Sequence, residues 1–227
     1  MKKQILKLIV FGVVLMIFSC DSNRPETHSE ADAKVAGVAV LQLILIGGPG
    51  AGKGTQAKNI QKKYRIPHIS TGQILRDEVA KGTELGKQVS GVMQRGGLVS
   101  DDIILRLIDN RLRDSDARKG FILDGFPRTL AQAEGLETIL QRHGDVRLKV
   151  LLLEVSDAEM MKRMMGRGRA DDTRETIQNR IQKFHSETSN VIRYYAKKGD
   201  LIRVNGEQSI EGVSAAVEKA LEKQVSE

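Results

Sequence analysis

From Val40 to Ile46 the chain is almost continuously apolar and branched, and the run stops on Gly47-Gly48. A strand of that composition has both faces buried, which is the condition of strands inside parallel sheets. Parallel neighbours need long crossovers, so the remainder of the chain must supply helices and further strands. Short apolar runs do recur, at Ile66–Ile69, Phe121–Leu123, Val150–Leu153 and Leu201–Val204. Helical spacing fills the intervals: Ala57, Ile60 and Tyr64 share one face, as do Ile103, Leu107 and Asn110–Leu112. Ser100 before Asp101-Asp102, and Ser156 before Asp157 and Glu159, read as helix N-caps. The expected fold is α/β, a doubly wound five-stranded parallel sheet. Residues 70–99 are longer than a simple crossover and predict a helical insertion, and residues 166–172 predict a Gly- and Arg-rich loop between two helices.

Directly after the first strand stands Gly47-Gly48-Pro49-Gly50-Ala51-Gly52-Lys53-Gly54-Thr55, opening a predicted helix. This is the phosphate-loop pattern in the strand-to-helix setting it requires. Glycines let successive backbone N–H groups turn inward around an anion, and the helix N-terminus adds partial positive charge. Lys53 then reaches the terminal phosphates. The residue after Lys53 is Gly54, so the hydroxyl that usually faces magnesium falls one place later, at Thr55.

The net charge of +7 favours an anionic partner without choosing among nucleotide, nucleic acid and membrane surface. With 40% apolar and 29% charged residues the chain is of globular rather than disordered type. It has no Trp and only 4% aromatics, so the core must be aliphatic, and the pairs Met160-Met161 and Met164-Met165 read as core and gap fillers. Cys20 is the single cysteine, which excludes an intramolecular disulfide framework and a thiolate zinc cluster. It closes a basic and apolar opening: Lys2, Lys3 and Lys7, an apolar run from Leu8 to Phe18, then Ser19-Cys20. That pattern matches a secretory signal and is too short for a membrane span. Ile17-Phe18-Ser19-Cys20 also resembles the cleavage box of bacterial lipoproteins, with Phe18 bulkier than that box usually has. Residues 1–20 therefore read as a signal-like segment and residues 21–39 as a polar linker. The other reading is a later start, at a non-Met codon such as Val38 or Val40.

The loop Gly-Gly-Pro-Gly-Ala-Gly-Lys-Gly-Thr-Gln is very similar to that of nucleoside monophosphate kinases, which also carry Gly after Lys. The resemblance continues through Ser70-Thr71-Gly72, Leu75-Arg76, Gly97-Leu98-Val99, Asp124-Gly125-Phe126-Pro127-Arg128 and Arg169-Ala170-Asp171-Asp172. In order and spacing these resemble the adenylate kinase family, over residues 40–225. The resemblance implies reversible phosphoryl transfer from ATP to AMP with Mg²⁺, a nucleoside monophosphate-binding insertion over 70–99 and a short lid over 166–172 without zinc.

It also implies residue roles. Gly50, Ala51, Gly52, Lys53, Gly54 and Thr55 would hold the ATP phosphates, with Arg163, Arg167 and Gln208 toward the rest of ATP. Thr71 and Gln132 would read the adenine of AMP. Gly97, Leu98, Val99, Gly125, Phe126 and Pro127 would line its pocket. Arg76, Arg128, Arg169 and Arg180 would grip phosphates, and Lys53, Arg128, Arg167, Arg169 and Arg180 would carry the catalysis. Asp124 would hold Mg²⁺ through water. Arg111, Arg113 and Arg118 read instead as a solvated basic face. No His is placed as a general base, and none is needed, because a phosphate whose second pKa is about 6 is already ionised at neutral pH.

Two alternatives stay open on sequence alone. A UMP/CMP kinase shares fold, loop and arginines but typically has other residues at the positions of Thr71 and Gln132. A membrane-tethered nucleotide sensor with little turnover fits the lipoprotein-like start. A cytoplasmic monomer is the family expectation, and an envelope lipoprotein anchored at Cys20 is its rival.

Overall fold

A computed structural model describes residues 41–142 and 148–225. The signal-like segment, the linker and Val40 lie outside the described residues. Strand β1 (Gln42–Gly47) is the centre of a five-stranded sheet ordered β2-β3-β1-β4-β5, with β2 at His68–Ser70, β3 at Phe121–Asp124, β4 at Leu148–Glu154 and β5 at Leu201–Asn205. Every pairing is parallel, and the register sets Gln42 opposite both Phe121 and Leu148.

Alternate side chains of β1 serve two cores, as strand geometry requires. Leu43 and Leu45 pack with Ala57 and Ile60 of α1 (Lys53–Tyr64) and with Val213, Val217 and Leu221 of the last helix, α9 (Ile210–Val225). Ile44 and Ile46 pack on the other face with α4 (Asp101–Leu112), α5 (Leu130–Arg142) and α8 (Ser189–Lys198). The chain thus leaves β1 on one face through α1 and leaves the adjacent β3 on the opposite face through α5. Diverging connections from neighbouring parallel strands open a crevice at their carboxyl ends, where such sheets bind ligands.

The predicted insertion consists of α2 (Thr71–Lys81) and α3 (Glu84–Gln94). They fold as a tight hairpin: Thr83 accepts the N–H of Gly86 at 3.0 Å, and a Cβ placed on Gly86 would lie 2.1 Å from the carbonyl oxygen of Glu78. Glycine is what allows that approach.

Three sequence expectations shift in detail. Ser156 caps α6 (Asp157–Arg167) by accepting the N–H of Glu159, but Ser100 at the start of α4 makes no side-chain capping bond. The fully buried line of α4 is Ile104, Ile108 and Leu112, with Ile103 and Leu107 only partly buried, because the helix turns its flank to the sheet and α5. Met160 and Met164 are buried between α6 and α7 (Arg174–Lys183), while Met165 is 52% exposed, since only every fourth residue of α6 faces inward. A π-helical turn, Phe184–Thr188, joins α7 to α8. Among the described residues no helix is long and apolar enough to cross a membrane.

Candidate active site

At the carboxyl ends of β1 and β3 lies one cavity of about 1380 Å³. All the predicted site residues line it. From the phosphate loop come Gly50, Ala51, Gly52, Lys53, Gly54 and Thr55. From the insertion side come Thr71, Arg76, Gly97, Leu98 and Val99. The end of β3 and the segment after it supply Asp124, Gly125, Phe126, Pro127, Arg128 and Gln132, and Arg163, Arg167, Arg169, Arg180 and Gln208 complete the predicted set.

The loop reaches helix α1 through Gly52, which takes a left-handed φ of 92° and, as a glycine, brings no side chain to cap the helix. The N–H groups of Thr55 and Gln56 donate to the Gly52 carbonyl at 3.0 and 3.1 Å, which leaves the N–H of Gly54, in the same first turn, to the cavity wall. Lys53 folds back over the loop, donating from Nζ to the carbonyl oxygens of Gly47 at 2.7 Å and Gly48 at 2.9 Å. Burial pushes its pKa down to about 8; Asp124 opposes that shift, while Arg128 and Arg167 add to it.

Asp124 ends β3 with its side chain turned toward the first turn of α1: a Cβ on Gly54 would lie 3.9 Å from its Oδ2. Burial raises its pKa, yet the hydrogen bond with His68 at 3.1 Å and the charges of Lys53, His68 and Arg128 outweigh burial, and the carboxyl ends below its usual value. Arg128 is held at three points. Its Nε donates to the Gly125 carbonyl at 2.7 Å, its backbone N–H donates to Gln132 Oε1 at 2.7 Å, and its carbonyl accepts from Thr188 Oγ1 at 3.1 Å. Thr71 donates to the Gly125 carbonyl at 2.9 Å from the other side.

The arginines of the far wall are partly neutralised within the protein. Arg167 donates to both oxygens of Asp172, and Arg180 donates to Asp172 and Asp171. Burial lowers the pKa of Arg76, Arg128 and Arg169, and neighbouring guanidiniums lower each further. Cations that depress one another around a shared space are poised for an anion. Arg163 is fixed by Glu159 at 2.8 Å and by the Gly206 carbonyl at 3.0 Å. Arg111 is engaged by Asp116 and Asp114, whereas Arg113 pairs with Asp109 on the surface.

Four groups escaped the sequence reading. His68 pairs with Asp124, Asp101 holds Gln132, Thr188 holds Arg128, and the Asp171-Asp172 pair engages the arginines. Asp171-Asp172 stood inside a recognised motif without a role; the other three sit far in sequence from what they touch and carried no signal.

A phosphate loop at a doubly wound sheet's crevice, ringed by fixed cations, defines a nucleotide phosphotransferase of the nucleoside monophosphate kinase type. A family model described as "Adenylate kinase" matches residues 45–200. The chain is 44% identical over 185 residues to an adenylate kinase of Stenotrophomonas maltophilia (strain K279a), covering 80% of this chain and 99% of that protein. It is 46% identical over 185 residues to one of Phenylobacterium zucineum (strain HLK1), covering 80% and 97%, and 40% identical over 212 residues to one of Caldicellulosiruptor saccharolyticus, covering 80% and 99%. The chain belongs to the adenylate kinase family.

Proposed function

We propose that the cavity binds ATP on the phosphate-loop side and AMP on the α2–α3 side, and transfers the γ-phosphoryl between them to give two ADP. The observation that carries this reading is a cavity lined at once by Lys53 and the first turn of α1, by Thr71 and Gln132, and by Arg128, Arg167, Arg169 and Arg180.

Two phosphorylated molecules repel each other, so the reaction needs neutralisation and alignment more than proton transfer. The N–H groups of the loop and Lys53 take the ATP phosphates, with Lys53 exchanging its carbonyl partners for phosphate oxygens. Arg128 and Arg76 take the AMP phosphate, held by buried or half-buried guanidinium forks that remain charged. Arg167, Arg169 and Arg180 close from the lid side, Arg163 and Gln208 border the ATP base, and Thr71 and Gln132 border the AMP base. Excluding water matters because water competes for the phosphoryl group.

Mg²⁺ arriving with ATP would draw charge from the phosphate oxygens. Asp124 fits that ion: an ionised carboxylate facing the first turn of α1, with the Thr55 hydroxyl on the same turn. Among the described residues no group of three or more His, Cys, Asp or Glu could hold a metal ion, so its remaining ligands would be nucleotide and water oxygens.

Turnover of the full chain with ATP–Mg²⁺ and AMP, with UMP, CMP and GMP alongside, tests the reading. Formation of ADP that strongly prefers AMP supports it. Nucleotide binding without ADP formation would favour the tethered sensor, and preference for UMP or CMP would favour the pyrimidine kinase.

A further inference from the structure

Gln132 is 2% exposed, yet its carboxamide uses both ends inside the protein. Its Oε1 accepts the backbone N–H of Arg128 at 2.7 Å, and its Nε2 donates to Asp101 Oδ1 at 2.8 Å. An amide can ordinarily be turned end for end with little change in shape, so its orientation follows from its partners. Here both partners are single-purpose. A backbone N–H only donates, and the Asp101 carboxylate oxygen accepts. Turning the amide over would set two donors against each other at Arg128 and two acceptors at Asp101. The oxygen and nitrogen ends of Gln132 are thereby assigned by chemistry.

Each end keeps one unused capacity, a lone pair on Oε1 and a proton on Nε2, and the side chain lines the cavity. Turned together to the cavity, an acceptor and a donor would match the Watson–Crick edge of adenine, where an exocyclic N–H lies next to a ring nitrogen that accepts. They mismatch hypoxanthine and guanine, whose corresponding edge offers a carbonyl oxygen beside an N–H.

We infer that Asp101 is a specificity-positioning residue: it locks the polarity of the Gln132 amide and so makes the monophosphate site choose adenine over six-oxo purines. Asp101 touches no nucleotide in this arrangement and acts through Gln132. The inference rests on the placement of AMP against Gln132 proposed above. The competing role for Asp101 is purely helical, since it is the first residue of α4, where an acidic side chain favours the helix dipole. A helical role alone would change stability without changing base choice.

The test is steady-state kinetics on the full chain with AMP and IMP as acceptors, for the parent and for Asp101→Asn, Asp101→Ala, Gln132→Ala and the double variant Asp101→Ala/Gln132→Ala. Asp101→Asn keeps the size of the side chain should the alanine variant fold poorly; its amide can present NH2 as well as oxygen to Gln132, so it no longer dictates which end it meets, and the preference for AMP over IMP should fall there too. Loss of a charge-assisted hydrogen bond predicts KM for AMP about 10-fold higher in Asp101→Ala, with KM for ATP within about twofold. The ratio of kcat/KM for AMP over IMP should fall about 10-fold. In the Gln132→Ala background, removing Asp101 should change neither quantity further, because a residue that acts through another loses its effect when that other is gone. Additive losses in the double variant, or equal losses for AMP and ATP, would overturn the inference. If Gln132→Ala raises KM for AMP but both Asp101 variants leave base preference intact, the inference fails while the AMP site stands. If Gln132→Ala leaves KM for AMP unchanged, the site assignment falls and the inference falls with it.

Discussion

Arg167 meets Asp172 fork to carboxylate, at 2.8 and 2.7 Å, and the aspartate side chain is only 2% exposed. The same carboxylate also accepts from Arg180 at 2.8 Å. One buried charge therefore holds two of the arginines that line the cavity, and an incoming phosphate must compete with it. Asp172→Asn should leave both guanidiniums repelling each other and lower stability by about 1–3 kcal/mol, read as the denaturant midpoint, while turnover falls through misplaced arginines. Burial raises the Asp172 pKa, but Arg167 and Arg180 lower it more. A carboxyl depressed on folding stabilises above its unfolded value of about 3.9 and loses that contribution on further acidification. The asparagine variant should accordingly show a flatter acid limb in stability against pH.

Lys53 is the cation nearest the carbonyls of its own loop, and replacing it tests the phosphate assignment. Lys53→Met should reduce turnover by about 100-fold or more, the scale for losing one preorganised charge at a transferring phosphoryl group. Its melting temperature should not fall, because the ammonium is held in a site that burial makes unfavourable for charge. Near-parental turnover would show that the loop does not act on phosphates.

The pKa of Lys53, about 8 in the free protein, also sets a pH dependence. A lysine depressed on folding costs stability at neutral pH, and that cost fades as pH rises from about 8 toward the unfolded value near 10.4. Ligand binding has the opposite trend: phosphate oxygens favour the charged ammonium, so the KM for ATP should rise above pH 8. Calorimetric titration in buffers of different ionisation heats should show proton uptake on ATP binding at pH 8.5, and none in Lys53→Met.

The α2–α3 hairpin depends on Gly86. Gly86→Ala would bring a methyl within 2.1 Å of a backbone carbonyl that cannot swing away. Overpacking of this kind costs about 1–3 kcal/mol, measured as a shift of the unfolding midpoint. Because the hairpin carries Thr71 and Arg76, KM for AMP should rise more than KM for ATP.

Much of this protein was legible as text. The apolar run before Gly47 gave a doubly buried strand, the spacing of further runs gave a parallel sheet, and the loop ending in Lys53-Gly54-Thr55 gave a phosphate site, because each signal is local and periodic. Helix faces were read less well: the buried line of α4 runs through Ile104, Ile108 and Leu112, a choice made by the partners it packs on rather than by its own pattern.

What only the tertiary structure decided are the contacts between distant residues. The order β2-β3-β1-β4-β5 brings β3 beside β1 and so sets Asp124 against the first turn of α1. The packing of α4 on α5 sets Asp101 against Gln132, and the π turn sets Thr188 against Arg128. Residue types and spacing specify strands, helices and a glycine loop because those depend on a few neighbouring dihedrals. The electrostatic state of Lys53, the polarity of the Gln132 amide and the pairing of Arg167 with Asp172 depend on burial and on partners brought together from far along the chain.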